Sequence, residues 1–389
     1  MSTVSHDVPT LTWDAVVARR LARHGLLAPA AAATPAGVAG AICGAHAQVM
    51  SAAELSIALR LPAATRQDVR RALWADHSLV KTFGPRGTVH LLPAADLPMW
   101  TAALTAIPGG TRMAPNARMT PEQTEEVIAA IAGALAEAEL TVDELGEAVA
   151  ARTGSWAGDP VMPAFNGMWP RWRQALHTAA HRGALVFGPE RGRKVTYTHP
   201  RRIAPGFAPA NEREAGAWLL RRYLHAYGPA TPQQYAKWLS APSGWATELF
   251  ASLADELREV TLDGDRAWVN TGDTTMPEAA PTGVRLLPYF DAYGVGSFPR
   301  ERVFPGRAYE RALAGGQAGN YPVLLIDGVA AGVWHQRRSG RTIAITVEPL
   351  VDLTAAQRTA LDEQVERVGE ILEGTPALTI GPVTVGPHA

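Results

Sequence analysis

Cysteine is almost absent: Cys43 stands alone in 389 residues. That excludes an intrachain disulfide and a Cys-based zinc site, and it predicts a chain suited to a reducing cytoplasm. Lysine is scarce too. Only Lys81, Lys194 and Lys237 interrupt an otherwise all-arginine set of 36 basic residues. Arginine's planar fork suits phosphates and guanine edges, although codon usage in a GC-rich genome accounts for most of such a bias. Excess charge of either sign is missing, and a formal net charge of -1 announces no polyanionic partner. Long apolar runs are missing as well. The nearest approach, "LLAPAAAATPAGVAGAIC", is Ala-rich and broken by Pro29 and Pro35, a poor membrane span. The opening "MSTVSHDVPT" lacks the basic-then-apolar layout of a secretory leader. These absences predict a soluble cytoplasmic protein with no membrane partner.

Familiar catalytic signatures are also wanting. There is no G-x-S-x-G elbow, phosphate loop or dinucleotide fingerprint, so hydrolase-elbow, kinase and dehydrogenase chemistry has no support. His177 and His181 share a helix face in "ALHTAAHRG", but Thr178 stands where a zincin carries its glutamate. No metal and no cofactor is expected.

What is present is a repeated pattern of helices followed by a hairpin. The hairpins are "SLVKTFGPRGTVHLL", "GALVFGPERGRKVTYTHP" and "LREVTLDGDRAWVNT", the last turning at Asp263-Gly264. Helix starts carry chemical markers. Ser51…Glu54, Thr120-Pro121 and Thr231-Pro232 read as caps, as does Thr141 with Glu144 three residues on. After residue 275 the texture turns to strands joined by tight turns, with one helix from about Thr354 to Gly374. The reading is α+β: tandem winged-helix units over 1–110, 111–205 and 206–275, then a small antiparallel β-barrel-like domain over 276–389.

One short stretch asks for explanation. "GAHAQVMSAAELSIALRL" puts His46 and Gln48 just before an apolar helix. If the helix starts at the Ser51 cap, residues 43–50 are extended and positions two apart share a side, whereas on a helix they would diverge. By pattern alone the commoner account is a satisfied, half-buried histidine beside a surface amide. The segments "ARRLARHGLL", "GAHAQVMSAAELSIALRL", "PRGTVHLLPAADL", "MWPRWRQALHTAAHRGALVFGP", "YLHAYGPATPQQYAKWLS", "VRLLPYFDAY" and "VAAGVWHQRRSGRTIAITVEPL" add a second argument. In this order they resemble the AlkZ/YcaQ-like winged-helix DNA glycosylases, over nearly the whole chain.

That resemblance implies a catalytic motif of the form glutamine–any–glutamine, or its histidine-first variant, which His46-Ala47-Gln48 matches. It implies a monofunctional glycosylase acting on bulky N7-alkylguanine, with N3-alkyladenine and crosslinks as further lesions, in repair of or self-resistance to an alkylating natural product. It also implies an open surface that grips double-stranded DNA containing alkylated purines. His46 would act as base or water-holder, and Gln48 would orient the nucleophile. No lysine lies nearby in sequence for a Schiff base, so lyase activity is not expected. Candidate DNA contacts are Arg86 and His90 beside the first hairpin, and Arg191, Arg193 and Lys194 at the tip of the second. Arg337, Arg338 and Arg341, in "HQRRSGR", complete them. Asp291 reads as a turn stabiliser, and Trp172 as packing before base stacking. A nucleoid-associated monomer fits these expectations. The competing reading is a non-catalytic winged-helix DNA-binding protein or transcription regulator.

Overall fold

The computed structural model describes residues 8–28, 33–109, 113–115, 117–164, 167–277 and 279–387. The N-terminal segment examined for a leader, Pro29 within the apolar run, and the 110/111 domain boundary lie outside or at the edge of these. The fold is mixed α+β, with two compact units: residues 1–70 with 220–389, and residues 71–219. Among the described residues no helix is long and apolar enough to cross a membrane.

In the unit 71–219 the first hairpin pairs Leu79–Phe83 with Val89–Pro93, from Leu79↔Pro93 to Phe83↔Val89. Helices Leu97–Thr105, Pro121–Glu137, Val142–Thr153 and Leu176–His181 follow. Thr120 and Thr141 both form complete capping boxes, the N3 side chains of Gln123 and Glu144 reaching back to the cap amides. The second hairpin joins Val186–Arg191 to Lys194–Thr198, and Leu140–Thr141 adds a third strand beside it.

The unit 1–70/220–389 holds the third hairpin, Leu257–Leu262 with Asp265–Asn270. Asp263 (φ 49°) and Gly264 (φ 94°) are both left-handed, as a two-residue turn of this twist demands. Thr231 caps helix Pro232–Leu239 through a third box. All three hairpins and these caps stand where the local sequence puts them.

The β-rich region departs from the expected antiparallel barrel-like or curled sheet in being open and in the direction of one strand. It is an open five-stranded sheet in chain order: Val284–Leu287, Val323–Ile326, Val329–Ser339, Thr342–Pro349 and Thr375–Ile380. The last strand runs parallel to its neighbour. The cause is helix Ala355–Leu372, which starts at a Thr354 capping box. Its 18 residues span about 27 Å, close to the roughly 26 Å of the eight-residue strand before it, so the helix returns the chain to that strand's start. A parallel pair requires such a crossover.

One face of this sheet buries Leu287, Val323, Leu325 and Val333 with Val17 and Leu21 of helix Trp13–Arg23. The approach is close at Gly328, where a Cβ would collide with Val17 Cγ1.

Candidate active site

The His46 segment is set by the helix before it. Helix Pro35–Ala41 ends in a Schellman motif, with the Gly44 N–H bonded to Ala39 O at 2.7 Å and the Cys43 N–H to Gly40 O at 3.1 Å. Cys43 takes the left-handed position, φ 55°, usually given to glycine. Tyr227 Oη donates to Ile42 O at 2.9 Å, holding the helix end from outside. The chain then extends through Ala45–His46 and bends at Gln48–Val49 into helix Met50–Ala58.

Residues 43–49 therefore precede the helix, as expected, but the cap differs. Val49 is the N-cap, and its side chain has no atom to accept a backbone N–H, so the Ser51…Glu54 box does not form. Glu54 is buried at 1 % exposure and accepts from Arg70 Nε at 2.6 Å and Nη2 at 3.2 Å. An ion pair to the next helix outcompetes the local cap.

The motif side chains occupy different surroundings. His46 is buried, its ring stacked on Phe290 with centroids 4.3 Å apart and planes at 27°. The Gln48 backbone N–H approaches His46 Nδ1 at a long 3.5 Å. Gln48 itself is exposed, since the bend ends the alternation that would put both side chains on one side.

Phe290 belongs to a loop fixed by Asp291. Arg60 donates to both Asp291 oxygens, at 2.9 and 2.8 Å, and Ser56 Oγ donates to Oδ2 at 2.7 Å. Asp291 Oδ1 also accepts from the Tyr293 N–H, capping the short helix Ala292–Gly296. Burial would raise the Asp291 carboxyl, but the Arg60 charge and these three donors hold it below the usual carboxylate range. Asp291 is the turn stabiliser expected of it. Its link to the helix that follows the motif was not foreseen, and neither was Phe290.

Of the other candidates, His90 is buried at 3 % exposure, with Nδ1 2.9 Å from Thr88 O and its ring against Gly84. That is a packing position, and the DNA-contact role expected for it gives way. Arg86 is half-buried in the first turn at φ 63°. Arg191 pairs with Glu144 and Lys194 with Asp143, two carboxylates at the start of helix Val142–Thr153. Arg193, between them, is exposed and has no ion pair among the described residues. Arg338 is tied to Leu372 O at 2.7 Å and Glu373 O at 3.0 Å, anchoring its hairpin to the helix end. Arg337 and Arg341 are exposed beside it. Trp172 is 1 % exposed and packs in the interior. The His177 and His181 rings meet edge to face at 5.9 Å; burial lowers both, His181 to about 4.

An extended polar motif ahead of a buried helix, within this α+β architecture, invites comparison with known proteins. The DNA glycosylase AlkZ-like family matches residues 39–371, which take in the motif. The interstrand DNA cross-link repair glycosylase of Streptomyces sahachiroi is 34% identical over 335 residues, covering 83% of this chain and 88% of its own length. The solved structure of Streptomyces sahachiroi DNA glycosylase AlkZ matches with a TM-score of 0.81 at 30% identity, over 96% of this chain and 100% of that one. Fold and matches define a DNA glycosylase, a hydrolase of N-glycosyl bonds. The chain belongs to the AlkZ-like DNA glycosylase family. Membership sets aside the non-catalytic regulator.

Proposed function

We propose that this glycosylase excises bulky N7-alkylguanine from duplex DNA, and N3-alkyladenine by the same charge logic. Interstrand crosslinks are further substrates, as the relative's name suggests for that protein. Alkylation at N7 makes the base cationic, so it departs as a neutral alkylguanine without a general acid. What the enzyme must supply is water at C1′ and stabilisation of the oxocarbenium-like sugar.

His46 holds that water and takes its proton as the C1′–O bond forms and the C1′–N9 bond breaks. Gln48, exposed at the bend, is both donor and acceptor, carries no protonation uncertainty, and orients the nucleophile from the open side of the motif. The single observation that carries the reading is the motif's setting: an extended segment with a stacked, restrained His46 and an exposed Gln48 two residues on.

The tandem winged-helix arrangement, the four domains and a monomeric enzyme belong to this proposal. So do phosphate contacts from Arg86, Arg193, Arg337 and Arg341, three of them exposed. Arg191, Lys194 and Arg338 play a smaller part, since intramolecular partners already hold them.

The test is a duplex carrying one N7-alkylguanine, treated with protein and then alkali to cut any abasic site. Wild type yields strand cleavage, and His46→Ala and Gln48→Ala lose it while keeping duplex affinity. Full cleavage by both variants would overturn the assignment. A strand cut without alkali would contradict monofunctional chemistry.

A further inference from the structure

Phe290 is a bulky residue in the left-handed region, at φ 54°, where side chains other than those of glycine and a few polar residues are rarely found. Its N–H bonds Gly319 O at 3.0 Å, and a Cβ on Gly319 would lie 2.9 Å from Phe290 Cδ1 and 3.0 Å from its Cα. The next residue, Asp291, is locked by Arg60 and Ser56, so the strained turn is held on both flanks. An unfavourable backbone that its surroundings over-determine in this way is a feature of sites where a side chain must stand in one place. What stands in place here is a ring face 4.3 Å from the His46 imidazole.

Ser56 and Arg60 follow the motif on the same stretch of chain, through helix Met50–Ala58. The brace therefore ties the segment that carries His46 to the loop that carries Phe290. Neither can shift without the other.

We infer that Phe290 is a positioning residue for His46. Its ring fixes the plane of the imidazole, and the Ser56–Arg60–Asp291 brace fixes the ring. The inference rests on the proposed role of His46, to which it adds the group that aims the imidazole. Imidazole packed on an aromatic face keeps one plane, whereas against an aliphatic side chain it can swing about its own axis. Misplacing a reacting group by about 1 Å costs on the order of 100-fold in rate.

The test compares Phe290→Leu, Phe290→Tyr and Gly319→Ala with wild type and His46→Ala, on a duplex bearing one N7-alkylguanine. Single-turnover excision is measured beside duplex affinity and melting temperature. Phe290→Leu should excise roughly 10- to 100-fold more slowly at unchanged affinity. Phe290→Tyr, which keeps the ring, should restore the rate. Gly319→Ala, which pushes the ring from behind, should slow excision without touching either motif residue. In histidine-labelled protein, the His46 ring protons should carry an upfield ring-current shift that Phe290→Leu abolishes and Phe290→Tyr keeps.

Wild-type rates in Phe290→Leu, with His46→Ala inactive, would overturn this inference alone. So would loss of rate, affinity and melting temperature together in both Phe290 variants, which marks a structural residue. A fully active His46→Ala would overturn the role of His46 and this inference with it, whatever the ring-current shift shows.

Discussion

Arg60 and Asp291 form an ion pair sealed from solvent: Nη2 lies 2.8 Å from Oδ1, and the side chains are 1% and 2% exposed. Their positions are 231 residues apart, so the bond closes a long stretch of chain around the candidate site. Removing one partner leaves an uncompensated buried charge, whereas replacing both with apolar groups does not. Asp291→Asn or Arg60→Leu should each cost about 3–5 kcal/mol, measured by urea unfolding. The double variant Arg60→Met/Asp291→Leu should recover much of that loss. The folded-state carboxyl lies below its ordinary 3.8, so its contribution is complete above that pH. It is lost as pH falls below 3.8 toward the folded value. Single variants no less stable than wild type would show that the pair is not what holds the loop.

His24 packs edge to face against Tyr227 and Tyr293, at 4.9 and 5.6 Å, and burial followed by the nearby Arg60 charge pushes it down to about 3. The native ring is then neutral where an unfolded one begins to bind a proton. The sign follows: the unfolded state binds more protons between pH 6.5 and 3, so stability falls as pH drops through that window. Above 6.5 the contribution is constant. The full effect is on the order of 5 kcal/mol. His181, held at about 4 by burial and the neighbouring His177, adds to the same slope. Unfolding free energies measured every half pH unit should therefore show His24→Leu with a shallower slope than wild type by up to one proton. Parallel slopes would mean that His24 is protonated in the folded protein.

Local chemistry made much of this fold legible. Asp263-Gly264 demands a tight hairpin turn, and Thr120, Thr141, Thr231 and Thr354 each sit three residues before a Gln or Glu that completes a box. The Ser51…Glu54 pattern has the same spelling and fails, because the fold buries Glu54 against Arg70. Alternation in the closing strands shows that they are strands but does not encode direction, so the parallel return after Leu372 was unreadable. His46 and Gln48 stood out through family resemblance more than pattern. Phe290 could not be found at all, since a stack between positions this distant leaves no periodic mark.

The cations at the second hairpin separate two kinds of surface charge. Arg191 and Lys194 are neutralised by Glu144 and Asp143, while Arg193 has no such partner among the described residues. A cation that meets a phosphate releases a counterion, and each such contact adds about 0.9 to the slope of log affinity against log salt. Duplex titrations from 50 to 200 mM salt should show Arg193→Ala flattening the slope by about one contact. Arg337→Ala/Arg341→Ala should flatten it by about two, and Arg191→Ala by less than Arg193→Ala. A larger loss from Arg191→Ala would mean that DNA displaces Glu144 from its arginine.

His46 is the one motif residue with a titratable side chain, which makes His46→Gln more informative than His46→Ala. Glutamine keeps a hydrogen-bonding group of similar reach and recreates the two-glutamine form that the family resemblance associates with catalysis. If His46 accepts the proton of the attacking water, wild-type excision should rise with pH somewhere between about pH 5 and 8, the range in which imidazoles titrate. His46→Gln should remain active with a flat profile over that range, faster than wild type at its acidic end and slower at its basic end. Single-turnover rates at half-unit steps would read both curves on one substrate. A flat wild-type profile would reduce His46 to holding the water by hydrogen bonding. A sloped profile retained by His46→Gln would place the titrating group elsewhere in the enzyme.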